Sequence, residues 1–398
     1  MSKLTNWVLL CGLATVGAGQ SIIFSVLPPL GREIGIPDYQ IALIFTLAAI
    51  AFMLSAPFWG KKSDQWGRKK LIVFGFLGYA ISTALFGVFG DLGRVGIISA
   101  FSAFLFMTGA RLCYALLSSG VFPSVQAAMA ESAPDEKRAS VMASIQAAFG
   151  LGMIGGPAIA SLLVIVSITL PLYVSGALAA IAALLVIRLV PNSKPAIREG
   201  EQVKLLITDR RIFLMLITGF VYFITLSGLL QLAAFRYQDL FFLEPSAAAA
   251  QSSIGFVFSA LATIATQVMI MGKLKLPASR MVQFGLALGA IAFAFMTQTQ
   301  ELWHVHGMFA LFGISIGLMT TGFNTSVTLA VSQQELGAVS GLAASAQAGG
   351  YIVGPLLAAS LYQLQTESPF WLFAVVLAIL TLIVTAAGAR SSKPIQTS

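Results

Sequence analysis

The sequence predicts an all-α membrane protein with twelve transmembrane helices in two six-helix bundles, on three observations. Of its 398 residues, 58% are hydrophobic and only 10% charged, with a mean hydropathy of +0.89; a soluble globular chain carries roughly a quarter charged residues. The apolar residues lie in continuous runs of about the 20 residues that cross a bilayer. Basic residues collect in alternate gaps between those runs. Together these exclude a cytosolic enzyme, a nucleic-acid-binding domain and a disordered chain. The formal net charge of +8 becomes a matter of topology.

Cutting the chain at charges, prolines and turn residues gives the spans in order. The first, residues 6–30, follows Lys3 and is too long for a signal-peptide core, with another span directly behind it. The second (39–60) opens after Pro37 and stops before Lys61 and Lys62, and the third (71–90) lies between Lys70 and Asp91. The fourth (95–129) is long and contains Arg111; the fifth (140–166) follows Arg138 and contains Pro157; the sixth (170–189) ends around Arg188. In the second half, 212–235 follows Arg211, 247–272 follows Pro245 and 281–297 follows Arg280. The last three, 303–331, 338–361 and 370–389, are separated by Glu335 and Glu367 with their polar neighbours. Barrel strands are excluded, because the runs do not alternate and exceed a strand of about 10 residues.

Nineteen of the 23 basic residues fall on one side of these spans: Lys3, the cluster at 61–70, Lys137 and Arg138, the run from Arg188 to Arg211, Lys273 to Arg280, and Arg390 with Lys393. Arg32, Arg94 and Arg236 fall on the other, and Arg111 lies inside a span. The positive-inside rule then puts both termini in the cytoplasm of a multi-pass protein of the cell (inner) membrane. It also makes the polar stretch 191–211 a cytoplasmic central loop, dividing an N-terminal bundle (1–190) from a C-terminal bundle (212–398). The halves repeat: at an offset of 198, Val141, Ala148, Gly152, Gly156, Pro157 and Ala160 superpose on Val339, Ala346, Gly350, Gly354, Pro355 and Ala358. Parallel repeats of this kind imply a central site between halves.

Between the second and third spans stands Gly60-Lys-Lys-Ser-Asp64-Gln-Trp-Gly67-Arg68-Lys69-Lys70. Gly60 and Gly67 permit a tight turn, while Asp64 can accept charge-assisted hydrogen bonds or sit at a helix N-terminus. This segment resembles the signature loop of the major facilitator superfamily, Gly-x-x-x-Asp-x-x-Gly-Arg-Lys/Arg-Lys/Arg, and the resemblance extends over essentially the whole chain. It implies the major facilitator fold and a cytoplasmic latch, carried by Gly60, Asp64, Gly67, Arg68 and Lys69, that stabilises one transport state. In the fifth span, Gly152-x-x-x-Gly156-Pro157 is similar to a Gly-Pro motif of the family's antiporter branches, which implies export. Read from the residues alone, small residues four apart let helices approach closely, and proline allows a bend. The same pattern in the second half keeps plain helix packing open.

Arg111 resembles the family's membrane arginine, with Ala115 where the family carries glycine. A charge there is costly, with estimates from about 2.5 kcal/mol, so a cavity or a partner must receive it. Tyr114 and Ser118 follow at i+3 and i+7 on one helical face. The set is read as a substrate or coupling site for an anionic group, the alternative being an arginine tied to backbone carbonyls. None of the 15 acids lies deep in a span. Where many drug/proton antiporters of the superfamily have a carboxylate in the first helix, this chain offers Gln20 and Ser21. Candidate proton carriers therefore sit at span ends: Glu33, Asp38, Asp239, His304 and His306, with Glu244 nearby. The two histidines titrate in the useful range but also suit an interfacial belt beside Trp303. Gln146, Tyr222, Gln231, Gln267, Asn324, Gln347 and Tyr351 are the remaining polar candidates for a central pathway, and helix-packing hydrogen bonds are open to each.

Cys11 and Cys113 lie in apolar runs and build neither a disulfide framework nor a zinc site. No cofactor or metal is expected, and no clustered acid–base set suggests an enzyme. The expectation is a monomeric secondary transporter working by alternating access on a small-molecule substrate, with proton-coupled export of amphipathic or organic-anionic compounds (drug-, metabolite- or siderophore-like). Uptake or facilitated transport without proton antiport is the alternative. The partners are substrate, protons and lipid, with no nucleic acid.

Overall fold

The computed structural model describes residues 3–132, 138–191, 205–272, 276–298, 301–332 and 335–391. These form helices α1 (Lys3–Ile34), α2 (Asp38–Trp66), α3 (Arg68–Arg94), α4 (Ala100–Ser118), α5 (Val121–Glu131), α6 (Arg138–Leu163) and α7 (Leu170–Leu189), followed by α8 (Phe213–Phe241), α9 (Pro245–Gly272), α10 (Ala278–Met296), α11 (Leu302–Leu329), α12 (Leu336–Leu364) and α13 (Ser368–Ser391). No strand occurs among the described residues. Eleven segments are long and apolar enough to cross a membrane, α4 and α5 counting as one, and 147–163 of α6 is a shorter apolar helix. All twelve expected spans are therefore helical.

Two differences from the sequence expectation have physical causes. The fourth span is not one helix but breaks at Ser119–Gly120. Pro123 cannot donate to the Ser119 carbonyl, and α2 hydrogen-bonds the last carbonyls of α4 at the break. Trp59 Nε1 donates to the Leu116 carbonyl, while Ser55 Oγ donates to the Ala115 carbonyl at 3.2 Å and shares a 2.8 Å bond with Ser119 Oγ. Freed backbone groups in hydrocarbon need such partners. Gly120 is required there, since a methyl group on it would fall 2.7 Å from Trp59 Cβ. The second difference is the basic loop, which is mostly helix. α2 runs on to Trp66 and α3 starts at Arg68, so Gly67, at φ +88°, makes the whole turn.

Two compact units are present: Met1–Glu199 with Leu230–Ile254, and Gly200–Leu229 with Gly255–Ser398. In the first, α1 packs on α6 and α7, α3 on α4 and α7, and α2 on α4. In the second, α10 packs on α11 and α13. Residues 230–254, the end of α8 and the start of α9, count with the first unit.

The sequence repeat corresponds to a repeated helix contact. A methyl group on Gly152 would fall 2.0 Å from the Ala14 carbonyl oxygen, and one on Gly156 2.4 Å from that of Ala18, so α6 lies backbone to backbone against α1. In the second unit, a methyl group on Gly350 would fall 2.5 Å from Phe223 Cβ and one on Gly354 2.4 Å from the Ile224 carbonyl oxygen, setting α12 against α8 in the same way. Ser227 Oγ seals the second contact by donating to the Gly350 carbonyl at 2.9 Å. Small residues buy this approach where lipid supplies no hydrophobic drive.

Gly152→Ala, Gly156→Ala and Gly350→Ala should each cost about 1–3 kcal/mol by overpacking, read as a lowered Tm of the purified protein. Gly155→Ala, with open space around it, should be neutral. Equal losses at Gly155 and Gly152 would contradict the contact.

Candidate substrate and coupling site

The centre of the first unit is built on α4. Arg111 is only 9% exposed, and its Nη2 donates to Gln20 Oε1 of α1 at 2.6 Å. Gln20 Nε2 in turn donates to the Tyr114 hydroxyl, and the guanidinium lies over the Tyr114 ring, 4.3 Å from its centroid. Tyr114 is one helical turn beyond Arg111, and side chains at that spacing meet. Tyr79 of α3 abuts Tyr114 edge-on at 5.5 Å and hydrogen-bonds Ser175 of α7. Among the described residues no carboxylate pairs with Arg111, and its Nε is buried without a hydrogen-bond partner. A cavity of about 10 Å³, close to the space one water needs, opens beside it, lined by Gly19, Ser82, Thr83, Phe86 and Leu172 among others. Among the described residues the guanidinium is thus held by neutral groups only.

Of the predicted set, the structure joins Arg111, Tyr114 and Gln20. Ser118 serves elsewhere, donating to the Gly75 carbonyl at 2.9 Å and tying α4 to α3. Tyr222 shares a 3.0 Å bond with Ser315 of α11, and Ser315 also donates to the Gly285 carbonyl at 2.6 Å, the counterpart of the Ser118 tie. Gln231 is fully buried with neither amide atom partnered. Asn324 is exposed, and Gln267, Gln347 and Tyr351 are half-buried. Gly60 and Asp64 belong to the last turns of α2; the side-chain surroundings of Gly60, Asp64 and Gln146 fall outside the described residues. In the same segment Arg68 is buried, Lys69 is half-buried, and Lys62 Nζ lies 4.8 Å over the Trp66 ring.

Of the candidate proton carriers, the three acids are ion-paired. Arg32 holds Asp38 at 2.7 Å and Asp239 at 2.6 Å, and Arg94 holds Glu33 at 2.8 Å. Asp91 accepts from Tyr173 at 2.7 Å and Thr169 at 2.9 Å. His304 stacks on Trp303 at 3.7 Å, and His306 lies parallel to Phe258 at 5.6 Å.

In the second unit, a cluster not predicted from the sequence joins the starts of α8 and α12. Arg211 donates to both Glu335 oxygens at 2.8 and 3.1 Å and to Asp209 at 2.8 Å. Glu335 also accepts from the backbone and hydroxyl of Ser332, both at 2.9 Å. The visible signal was Ser332-x-x-Glu335, the spacing of a capping box. Arg211, then Ser332, hold the Glu335 carboxyl down at about 2, and Asp209 is lowered chiefly by Arg211.

Two sets of membrane-length helices, each with a packed glycine seam, and a buried cation between helices of the first define a multi-span membrane protein. The sequence profile of the Major Facilitator Superfamily matches residues 9–350 and 243–397. The chain belongs to that superfamily, and it is a transporter, not an enzyme. It is 26% identical over 377 residues to Multidrug resistance protein 2 of Bacillus subtilis (strain 168), covering 91% of this chain and 90% of that one. It is 23% identical over 380 residues to Quinolone resistance protein NorA of Staphylococcus aureus (strain COL), covering 92% of each. Among solved structures it resembles a bacterial homologue of the human lysosomal transporter Spinster, in an inward-facing and occupied conformation, with a TM-score of 0.76 and 15% identity over 97% of this chain and 96% of that one.

A depressed carboxylate stabilises the fold fully above its ordinary range, about 4.3, and loses that contribution as the pH falls toward the folded value. The Tm difference between the parent and Glu335→Gln should therefore stay constant from pH 8 to about pH 5 and shrink below about pH 4. Shrinkage already between pH 8 and pH 6 would contradict the Arg211–Glu335 assignment.

Proposed function

We propose that this protein is a proton-coupled exporter of small amphipathic or organic-anionic compounds, drug- or metabolite-like. It works as a monomer by alternating access of two six-helix bundles, 1–190 and 212–398, joined by the cytoplasmic loop 191–211. Its membrane is the cell (inner) membrane, with both termini cytoplasmic, as the basic-residue distribution supports. Export draws its support from full-length similarity to two resistance proteins. The observation that carries the substrate class is Arg111, a buried guanidinium with neutral partners and a free Nε. Such a group favours an anion, which a guanidinium binds in a directed, charge-assisted way. Gln20 and Tyr114 orient it, and Tyr222, Gln231, Asn324, Gln347 and Tyr351 supply polar points along the pathway. The latch at Gly60 to Lys69 and the α6 glycines set the transport states. Facilitated movement without protons stays the second reading because no acid lies deep in a span.

Proteoliposomes loaded with a fluorescent organic anion, with and without a pH gradient, separate the two. Gradient-driven transport is expected, and Arg111→Ala should abolish it. Arg111→Lys should keep the charge but bind the anion about tenfold more weakly, the loss of about one oriented hydrogen bond to a charged group. Unchanged selectivity for anionic over neutral compounds in both variants would overturn the substrate reading.

A further inference from the structure

We propose that Arg111 holds a small monovalent anion, a halide such as chloride, in the cavity beside it between transport cycles, and that an organic anion binds by displacing it. The proposal rests on the reading of Arg111 as the anion-binding group and adds to it a resident competitor.

Three observations meet at this point. Among the described residues, no carboxylate pairs with Arg111. Its neighbours use only part of its bonding capacity: Nη2 donates to Gln20 Oε1 at 2.6 Å, the Tyr114 ring covers one face at 4.3 Å, and the buried Nε has no hydrogen-bond partner. Beside the side chain lies a cavity of about 10 Å³, bounded by Arg111 and Tyr114 with Ile23, Ser82, Thr83, Phe86 and Leu172 among its other walls. A cation with a spare donor and a space next to it form one site.

The walls decide the kind of guest. Ile23, Phe86 and Leu172 carry no polar side-chain atom, and Ser82 gives its proton to the Gly78 carbonyl within α3. Tyr114 accepts from Gln20 Nε2, which leaves its own hydroxyl proton to be given elsewhere. The donors among the lining side chains are therefore Arg111 Nε, the Tyr114 hydroxyl and the hydroxyl of Thr83, which is also in reach of Tyr79. A halide takes hydrogen bonds from donors alone and tolerates apolar walls, and charge-assisted bonds of this kind are the strong ones. A water molecule would bring no charge to the guanidinium.

Size decides the rest. A space close to that of one water admits a monatomic ion, but not a phosphate, a sulfate or a carboxylate carried on a carbon skeleton. An organic anion therefore reaches the guanidinium in a wider state of the site, where it takes the ion's place. Two anions then compete for one cation, and the apparent affinity for the organic anion falls as halide rises.

Binding of radiolabelled chloride to the purified protein, at constant ionic strength with gluconate as the replacing ion, tests this. Saturable binding of one chloride per chain is expected. Thr83→Val keeps the side-chain shape and removes a donor, and should weaken chloride about tenfold. Gln20→Glu supplies a carboxylate from within and should abolish binding, so chloride should raise the Tm of the parent but not of this variant. A fluorescent organic anion should displace the label, and chloride at ten times its own Kd should weaken that compound about tenfold. No saturable chloride binding by the folded parent, the result if water alone fills the cavity, would overturn the proposal. Chloride binding unchanged in both variants would overturn it too, by placing the ion elsewhere. The two readings fail separately: an organic anion bound without any chloride site would overturn the halide alone, whereas chloride lost in Gln20→Glu but not displaced by organic anions would overturn the anionic-substrate reading.

Discussion

A guanidinium inside a helix bundle, with no carboxylate among the described residues to neutralise it, is the interaction around which the first unit is arranged. Placing Arg111 in an apolar span is costly, and neutral groups meet only part of that cost. Gln20 accepts from it, the Tyr114 ring lies against it, and Tyr79 with Ser175 fixes the Tyr114 ring from the far side. Each of these comes from a different helix, α1, α4, α3 and α7, so the cation requires those four helices to stay in register. The packing supplies that register. α1 lies backbone to backbone on α6 through Gly152 and Gly156, and α3 packs on both α4 and α7. The glycine seams hold the helices that hold the cation.

Charge is otherwise kept to the helix ends, where it works on conformation. In the second unit Arg211 binds the start of α8 to the start of α12 through a carboxylate that stays ionised well below neutral pH. That joint does not titrate in any physiological range. In the first unit Arg32 divides its donors between the Asp38 fork on its own hairpin and Asp239 on α8, with its face on the Phe235 ring.

Much of this was legible in the sequence because membrane insertion imposes simple rules. Span count and helical class follow from backbone hydrogen bonding in hydrocarbon, and the seam glycines showed themselves through the repeat at Gly152 and Gly350. Arg111 and Gln20 were visible as polar residues without an obvious reason to be there. The break between α4 and α5 was less so, because its cause is Trp59 and Ser55 on another helix, with Pro123 only a hint. Ser118 shares a helical face with Arg111 by spacing, yet its hydroxyl is taken by the Gly75 carbonyl, a partner 43 residues away that periodicity cannot name. Arg32 read as a topology marker because its role depends on Asp239, which only the fold brings near.

The claim that an uncompensated Arg111 selects an anion is tested most directly by giving it a partner from within. Gln20→Glu changes the 2.6 Å acceptor into a carboxylate with almost no change of shape. Binding of an organic anion and of its neutral ester to the purified variant should then diverge: the anion should weaken by tenfold or more, about 1.4 kcal/mol, while the ester is unaffected. Equal affinity of parent and variant for the anion would contradict the account.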